Sequence, residues 1–158
     1  MTLLPTPLSG DVPAGRAPER CRFCQIAAGE TPARIVFGDD SCIAFLDSRP
    51  LFPGHLLLVT RRHVATLMEL PDDLAGPLML AARLLSRAIV QAMEADGAFV
   101  AINNGVSQSI PHLHVHIVPR RKKDGLRGFF WPRQKYASED EARAVQERIR
   151  QVVEGMRS

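Results

Sequence analysis

The sequence predicts an α+β domain built on an antiparallel sheet of about five strands with flanking helices. Three observations predict it. Two apolar runs, Arg34 to Phe37 and Cys42 to Asp47, flank the turn residues Gly38-Asp39-Asp40-Ser41, the pattern of a β-hairpin. His112 to Val118 alternates polar and apolar side chains, the period of a strand with one face in a core. Two later segments, from Asp72 and from Ser138, carry apolar residues at helical spacing instead. Hairpin strands with helices set apart from them point to α+β rather than to a parallel βαβ sheet.

The elements follow in order. Residues 1–18 are rich in Pro and Gly and lack a hydrophobic period, so they read as a flexible tail ahead of a domain over 19–158. Cys21 to Ala28 fits a short helix closed by Gly29, with Pro32 beyond it. The hairpin follows, then a turn-rich loop over 50–54. His55 to Thr60 is a buried strand. Asp72 to about Met93 is a helix by its apolar residues at 74, 78, 81, 84, 85, 88 and 89, with Pro77 marking a start or a kink. Ala98 to Ile102 is a fourth strand and His112 to Val118 a fifth. Arg120 to Tyr136 reads as a basic loop. Ser138-Glu139-Asp140-Glu141 forms a capping box for a final helix with apolar residues at 142, 145, 149, 152 and 153.

Composition narrows the class. The chain has 158 residues, 46% hydrophobic and 23% charged, which excludes a disordered chain, a fibre and a membrane bundle. A net charge of +3 is too weak to argue for nucleic acid and suits a protein that handles phosphate-bearing small molecules. No signal peptide and no apolar stretch of about 18 residues is present, so a cytoplasmic, non-membrane protein is expected. Three cysteines do not make a disulfide framework. Cys21 and Cys24 form a C-x-x-C pair, which is a metal half-site, a redox pair or chance. Cys42 lies in a strand and reads as core.

Three of the five histidines fall within five residues, in His112-Leu113-His114-Val115-His116. On a strand their side chains share one face, and Leu113, Val115 and Ile117 share the other. Adjacent imidazoles disfavour one another's protonation and gain little by packing, so a merely polar face is a poor account of them. Metal ligation and nucleophilic or acid–base work on an anion both remain. Imidazole suits either, being largely neutral at pH 7 with two distinct nitrogens.

These residues resemble the histidine triad hydrolases and transferases. The likeness runs from Cys21 to about Pro119 and takes in Ala28-Gly29-Glu30-Thr31-Pro32, Phe45-Leu46-Asp47, Pro53-Gly54-His55 and His63 as well as the triad. It implies a histidine-triad-like fold, commonly a homodimer, and hydrolysis or transfer at the α-phosphate of a nucleotide conjugate. It implies that His114 is the nucleophile, forming a covalent nucleotidyl-histidine, and that His116 and His55 contact the phosphate. It also implies that Asp47 accepts from the ribose hydroxyls and that Phe23, Ile26 and Phe45 surround the base. A turn-capping Asp47 and plain core residues are the structural alternatives.

A zinc-bearing subset of the superfamily, including the galactose-1-phosphate uridylyltransferases, pairs a C-x-x-C with a histidine matching His63 and with the first triad histidine. That implies a structural zinc on Cys21, Cys24, His63 and His112; without it, the two thiols are core and His63 caps a strand end.

Residues 104–109, Asn-Gly-Val-Ser-Gln-Ser, precede the triad and are expected to offer donors to phosphate through Asn104, Gln108 and Ser109. The loop is shorter than in typical members, and Ser107 stands where glycine is usual. An ordinary Asn-Gly turn is the alternative. The basic stretch (Arg120, Arg121, Lys122, Lys123, Arg127, Arg133 and Lys135, with Phe129, Phe130 and Trp131) fits an electrostatic funnel for an anionic substrate, a nucleic-acid surface, or a solvated loop. The leading expectation is an adenosine phosphoramidate or dinucleoside polyphosphate hydrolase. A nucleotidyltransferase or phosphorylase, a nucleotide-binding module with little turnover, and a nucleic-acid-end processing protein stand behind it.

Overall fold

The computed structural model describes residues 21–126 and 136–156. The predicted tail lies outside them, as do Arg127, Phe129, Phe130, Trp131, Arg133 and Lys135. Two compact units divide the chain, one ending at Lys123 and the other running from Asp124 to Ser158.

The first unit holds helix α1 (Arg22–Ala27), strands β1 (Ile35–Gly38), β2 (Cys42–Leu46) and β3 (Leu56–Thr60), helix α2 (Asp72–Ala92), and strands β4 (Gly97–Ala101) and β5 (His114–Arg120). The five strands form one sheet in the order β1-β2-β3-β5-β4, and every neighbouring pair is antiparallel. The predicted α+β class and strand number hold. One short 3-10 turn, Leu67–Glu69, had no sequence signal strong enough to foresee.

Register sorts the side chains onto two faces. Ala44, Leu58 and Val115 stand opposite one another across β2, β3 and β5. With Leu56, Leu113 and Ile117 they pack on the buried stripe of α2, which includes Leu74, Leu78, Ala81, Leu85 and Ile89. The next row alternates to the other face: Phe45 opposite Leu57 opposite His116, and Ile43 opposite Val59 opposite His114. Phe23 and Ile26 of α1 cover part of that second face. Two of the three triad histidines thus join an apolar layer because the pleat alternates with period two.

Several predicted boundaries move. His55 precedes β3 rather than opening it, and Ile102 follows β4. His112 lies two residues before β5, and β5 runs on to Arg120, so the basic segment begins inside the sheet. Pro77 neither starts nor ends α2; the helix runs from Asp72 through it. Proline removes one N–H and crowds the carbonyl four residues back, but that carbonyl belongs to the exposed Asp73 in the first turn, where it can tilt out to water.

The basic residues after the triad are partly tied down. Arg121 donates to the carbonyl of Met93 just beyond α2, where a cation meets the negative end of the helix. The Lys122 N–H donates to Asp96 at 2.8 Å. In the second unit, helix α3 (Glu139–Met156) carries the predicted capping box: the Glu141 N–H donates to Ser138 Oγ and the Ala137 N–H to the Glu141 carboxylate.

Gly54 decides how the chain enters β3. Its φ is +94°, and a Cβ there would sit 2.8 Å from Met93 Cγ. Gly54→Ala should therefore cost on the order of 2 kcal/mol, from left-handed backbone strain and from the Met93 contact. Urea denaturation measures it, and a variant as stable as the parent would refute the assignment.

Candidate active site and metal centre

The histidine face opens on a cavity of about 600 Å³. His114 and His116 of β5 line it with Phe23 and Ile26 of α1, Phe45 of β2, Asp47 and Ser109. Residues scattered over 94 positions of sequence, from Phe23 to His116, therefore meet in one place. The Phe23 and His114 rings pack in a T-shaped pair, 5.3 Å between centroids at 78°.

Backbone carbonyls assign the protons. The Nδ1 of His114 lies 2.7 Å from the carbonyl oxygen of His112, two residues earlier. A carbonyl only accepts, so Nδ1 carries the proton and Nε2 keeps its lone pair. The Leu51 N–H donates to His55 Nδ1 at 3.2 Å, so the His55 proton sits on Nε2. That Nε2–H donates to His116 Nδ1 at 3.0 Å, leaving the His116 proton on Nε2. The three imidazoles are thus arranged as one unprotonated nitrogen on His114 and one N–H on His116, with His55 holding His116 from behind.

Burial lowers the His116 pKa to about 4, aided by His114 and His55 beside it and opposed by Asp47. His55 is lowered too, mainly by burial, with Asp47 pulling the other way. Both rings are neutral at pH 7. An unfolded histidine titrates near 6.5, so between 6.5 and 4 the unfolded chain binds the proton that folded His116 refuses. This contribution to stability is complete above pH 6.5 and is lost as the pH falls toward 4. Denaturation midpoints should drop over that window; a His116→Gln variant should show a shallower drop, and an unchanged slope would contradict it.

Asp47 does two things. Its Oδ1 accepts from the Arg49 N–H at 2.8 Å, a turn cap. Its Oδ2 lies 3.6 Å from His55 Nδ1, and the residue still lines the cavity. Asn104 and Gln108, expected at the phosphate, are engaged elsewhere. Asn104 Oδ1 accepts from the Leu67 N–H at 2.7 Å. Gln108 Nε2 donates to the Ala65 carbonyl and its Oε1 accepts from the Gly105 N–H. Of the loop residues singled out, Ser109 is the one on the cavity wall. Ser107 adopts φ 57°, the left-handed conformation that a glycine would take more easily.

Arg22, Arg34 and Arg49 line the cavity as well, and sequence reasoning did not find them. Arg22 precedes Phe23, Arg34 opens the first predicted hairpin run, and Arg49 lies two residues after Asp47.

Beside His114, on the same α1-covered side of the sheet, lies a second cluster. One ligand atom from each of Cys21, Cys24, His63 and His112 lies within 4.8 Å of the other three. Cys21 Sγ is 3.3 Å from His112 Nδ1, Cys24 Sγ 3.5 Å from the same atom and 3.3 Å from His63 Nδ1. A tetrahedral zinc needs sulfur–nitrogen edges of about 3.5 Å, from bond lengths of about 2.3 and 2.05 Å. His112, fully buried, donates Nε2–H to the Thr60 carbonyl at 2.8 Å, so its Nδ1 lone pair faces the thiols. Burial, helped by neighbouring Cys21, raises the Cys24 pKa to about 12; its ionisation calls for a cation. The chemistry of this donor set fits a zinc ion. All three cysteines are free.

A five-stranded antiparallel sheet bearing neighbouring imidazoles over a nucleotide-sized cavity defines a histidine-triad type of protein. Residues 28–123 match the HIT domain model, and the chain belongs to the HIT family. It is 37% identical over 119 residues to adenylylsulfatase HINT3 of Arabidopsis thaliana, a match over 74% of this chain and 60% of that protein. It is 29% identical over 118 residues to adenosine 5′-monophosphoramidase HNT1 of Candida albicans, over 71% and 78% of the two chains. A crystal structure of a zinc-bound histidine triad family protein from Mycobacterium smegmatis superimposes with a TM-score of 0.65 at 30% identity, covering 85% of this chain and 96% of that one. Among the described residues, no helix is long and apolar enough to cross a membrane.

Proposed function

We propose that the protein hydrolyses nucleotide conjugates at the α-phosphate through a covalent intermediate on His114. The observation that carries this is the His114 hydrogen bond to the His112 carbonyl, which leaves Nε2 unprotonated at the cavity wall. Nε2 attacks the α-phosphorus; a P–N bond forms and the bond to the leaving group breaks. The His116 Nε2–H offers a hydrogen bond to the phosphoryl oxygens or the departing atom. Water then cleaves the P–N bond, releasing the nucleoside monophosphate and restoring the imidazole. Splitting one displacement into two lowers each barrier. Phe23, Ile26 and Phe45 supply an apolar slot for the base, and the free side of Asp47 accepts from the ribose.

The two named relatives, an adenylylsulfatase and an adenosine 5′-monophosphoramidase, favour adenylyl conjugates over dinucleoside polyphosphates. The deciding experiment incubates the protein with adenosine 5′-phosphoramidate, adenylyl sulfate and diadenosine polyphosphates, measures release of AMP, and seeks an adenylyl adduct by mass spectrometry. Turnover with an adduct is the expected result. Nucleotide binding without turnover on any of them would favour the binding-module alternative.

Cys21, Cys24, His63 and His112 would hold a structural zinc, with four protein ligands and no open position. Bound there, it would crosslink α1, the segment after β3 and the residues just before β5. A cytoplasmic site of action accords with three cysteines that form no disulfide. A homodimer accords with the exposed apolar residues Met79, Leu80 and Leu84 on α2 and Val100 on the edge strand β4. Sedimentation at micromolar concentration should give twice the chain mass; a monomer there would remove the dimer.

A further inference from the structure

The cavity carries more positive charge than the singly charged α-phosphate of a nucleotide conjugate needs. Arg22, Arg34 and Arg49 line it, and Asp47 is its one acidic side chain among the described residues. The three guanidinium groups are solvent-exposed and, among the described residues, none has a side-chain hydrogen bond or an ion pair. An α-phosphate facing His114 and His116 leaves these cations without a counterpart.

Their placement says where a counterpart would be. Arg49 is bound through its own N–H to the Asp47 carboxylate. The Arg34 carbonyl accepts from the N–H of Leu46, the residue before Asp47, at 3.0 Å. Arg22 precedes Phe23 at the start of α1. All three therefore belong to the segments that form the nucleoside half of the cavity, and none to the Ser109 side. Arginine suits a phosphate group, which it can grip with two parallel N–H donors.

We propose that the preferred substrates carry a second phosphate, a monoester on the 2′- or 3′-hydroxyl of the ribose, recognised by Arg22, Arg34 and Arg49. This rests on the nucleotide reading of the cavity and adds a specificity element to it. Asp47 then accepts from the one ribose hydroxyl that remains, and the arginines balance the added charge beside its carboxylate.

Equilibrium binding tests it without requiring turnover. By calorimetry at low salt, adenosine 3′,5′-bisphosphate or its 2′,5′ isomer should bind about tenfold more tightly than AMP. ADP carries the same extra phosphate on the other side of the nucleotide and should gain less. Arg34→Gln and Arg49→Gln, both at exposed positions, should each reduce the bisphosphate-to-AMP ratio several-fold. Equal binding of AMP and both bisphosphates, an equal gain with ADP, or a ratio preserved in both variants would overturn the proposal and leave the monophosphate reading standing. If none of these nucleotides bound, the nucleotide reading would fall and this one with it.

Discussion

His114→Ala should abolish the adenylyl adduct and cut turnover by roughly three orders of magnitude or more. Removing a nucleophile that splits the reaction into two steps leaves only binding and charge stabilisation by the remaining groups. His114 is buried, so the truncation also leaves a space beside Phe23 and costs some stability. Circular dichroism and a denaturation midpoint establish that the variant is folded. His114→Gln fills more of the space and should be equally inactive. His116→Gln keeps the adduct-forming nitrogen and should lose turnover less severely. Wild-type rates in folded His114→Ala protein would sink the covalent mechanism outright.

The second large effect concerns the cysteine–histidine cluster. Protein expressed with adequate zinc should contain about one ion per chain by elemental analysis, and stripping it with a strong chelator should cost roughly 3 kcal/mol or more of stability. Cys24→Ser should have a similar cost. The size follows from what the ligands tie together: α1, the segment after β3 and the residue two before β5. With the ion gone, two thiols and the Nδ1 of a fully buried His112 lose their common partner. Zinc-free protein with an unchanged melting temperature would show that hydrogen bonds among these four side chains suffice, and the metal assignment would fail.

The sequence made much of this architecture readable because two periods carry it. Alternation from His112 onward put His114 and His116 on one face and Val115 and Ile117 on the other, and the structure has them there. The helical spacing from Asp72 foretold most of the buried stripe of α2, although Leu84 and Ala88, which share that spacing, are exposed. Other features were not readable because they depend on contacts between distant segments. Alternation cannot tell that His112 leaves the ladder before β5 and turns its Nδ1 toward Cys21, some 91 residues away. Loop composition suggests donors for phosphate but does not show that the Gln108 amide is already spent on Ala65 and Gly105. Single arginines beside marked residues look like ordinary surface charge until the fold brings Arg22, Arg34 and Arg49 around one cavity.

The partner that orients His114 is a peptide carbonyl, where many nucleophile or base histidines lean on a carboxylate. A carbonyl has no pKa in the accessible range, so the tautomer of His114 is set by a group that acid cannot switch off. It also adds no negative charge beside the ring. The same residue whose side chain faces the thiols lends its main-chain carbonyl to His114. Backbone geometry at position 112, rather than any titrating side chain, is therefore the point at which evolution or design would retune this centre.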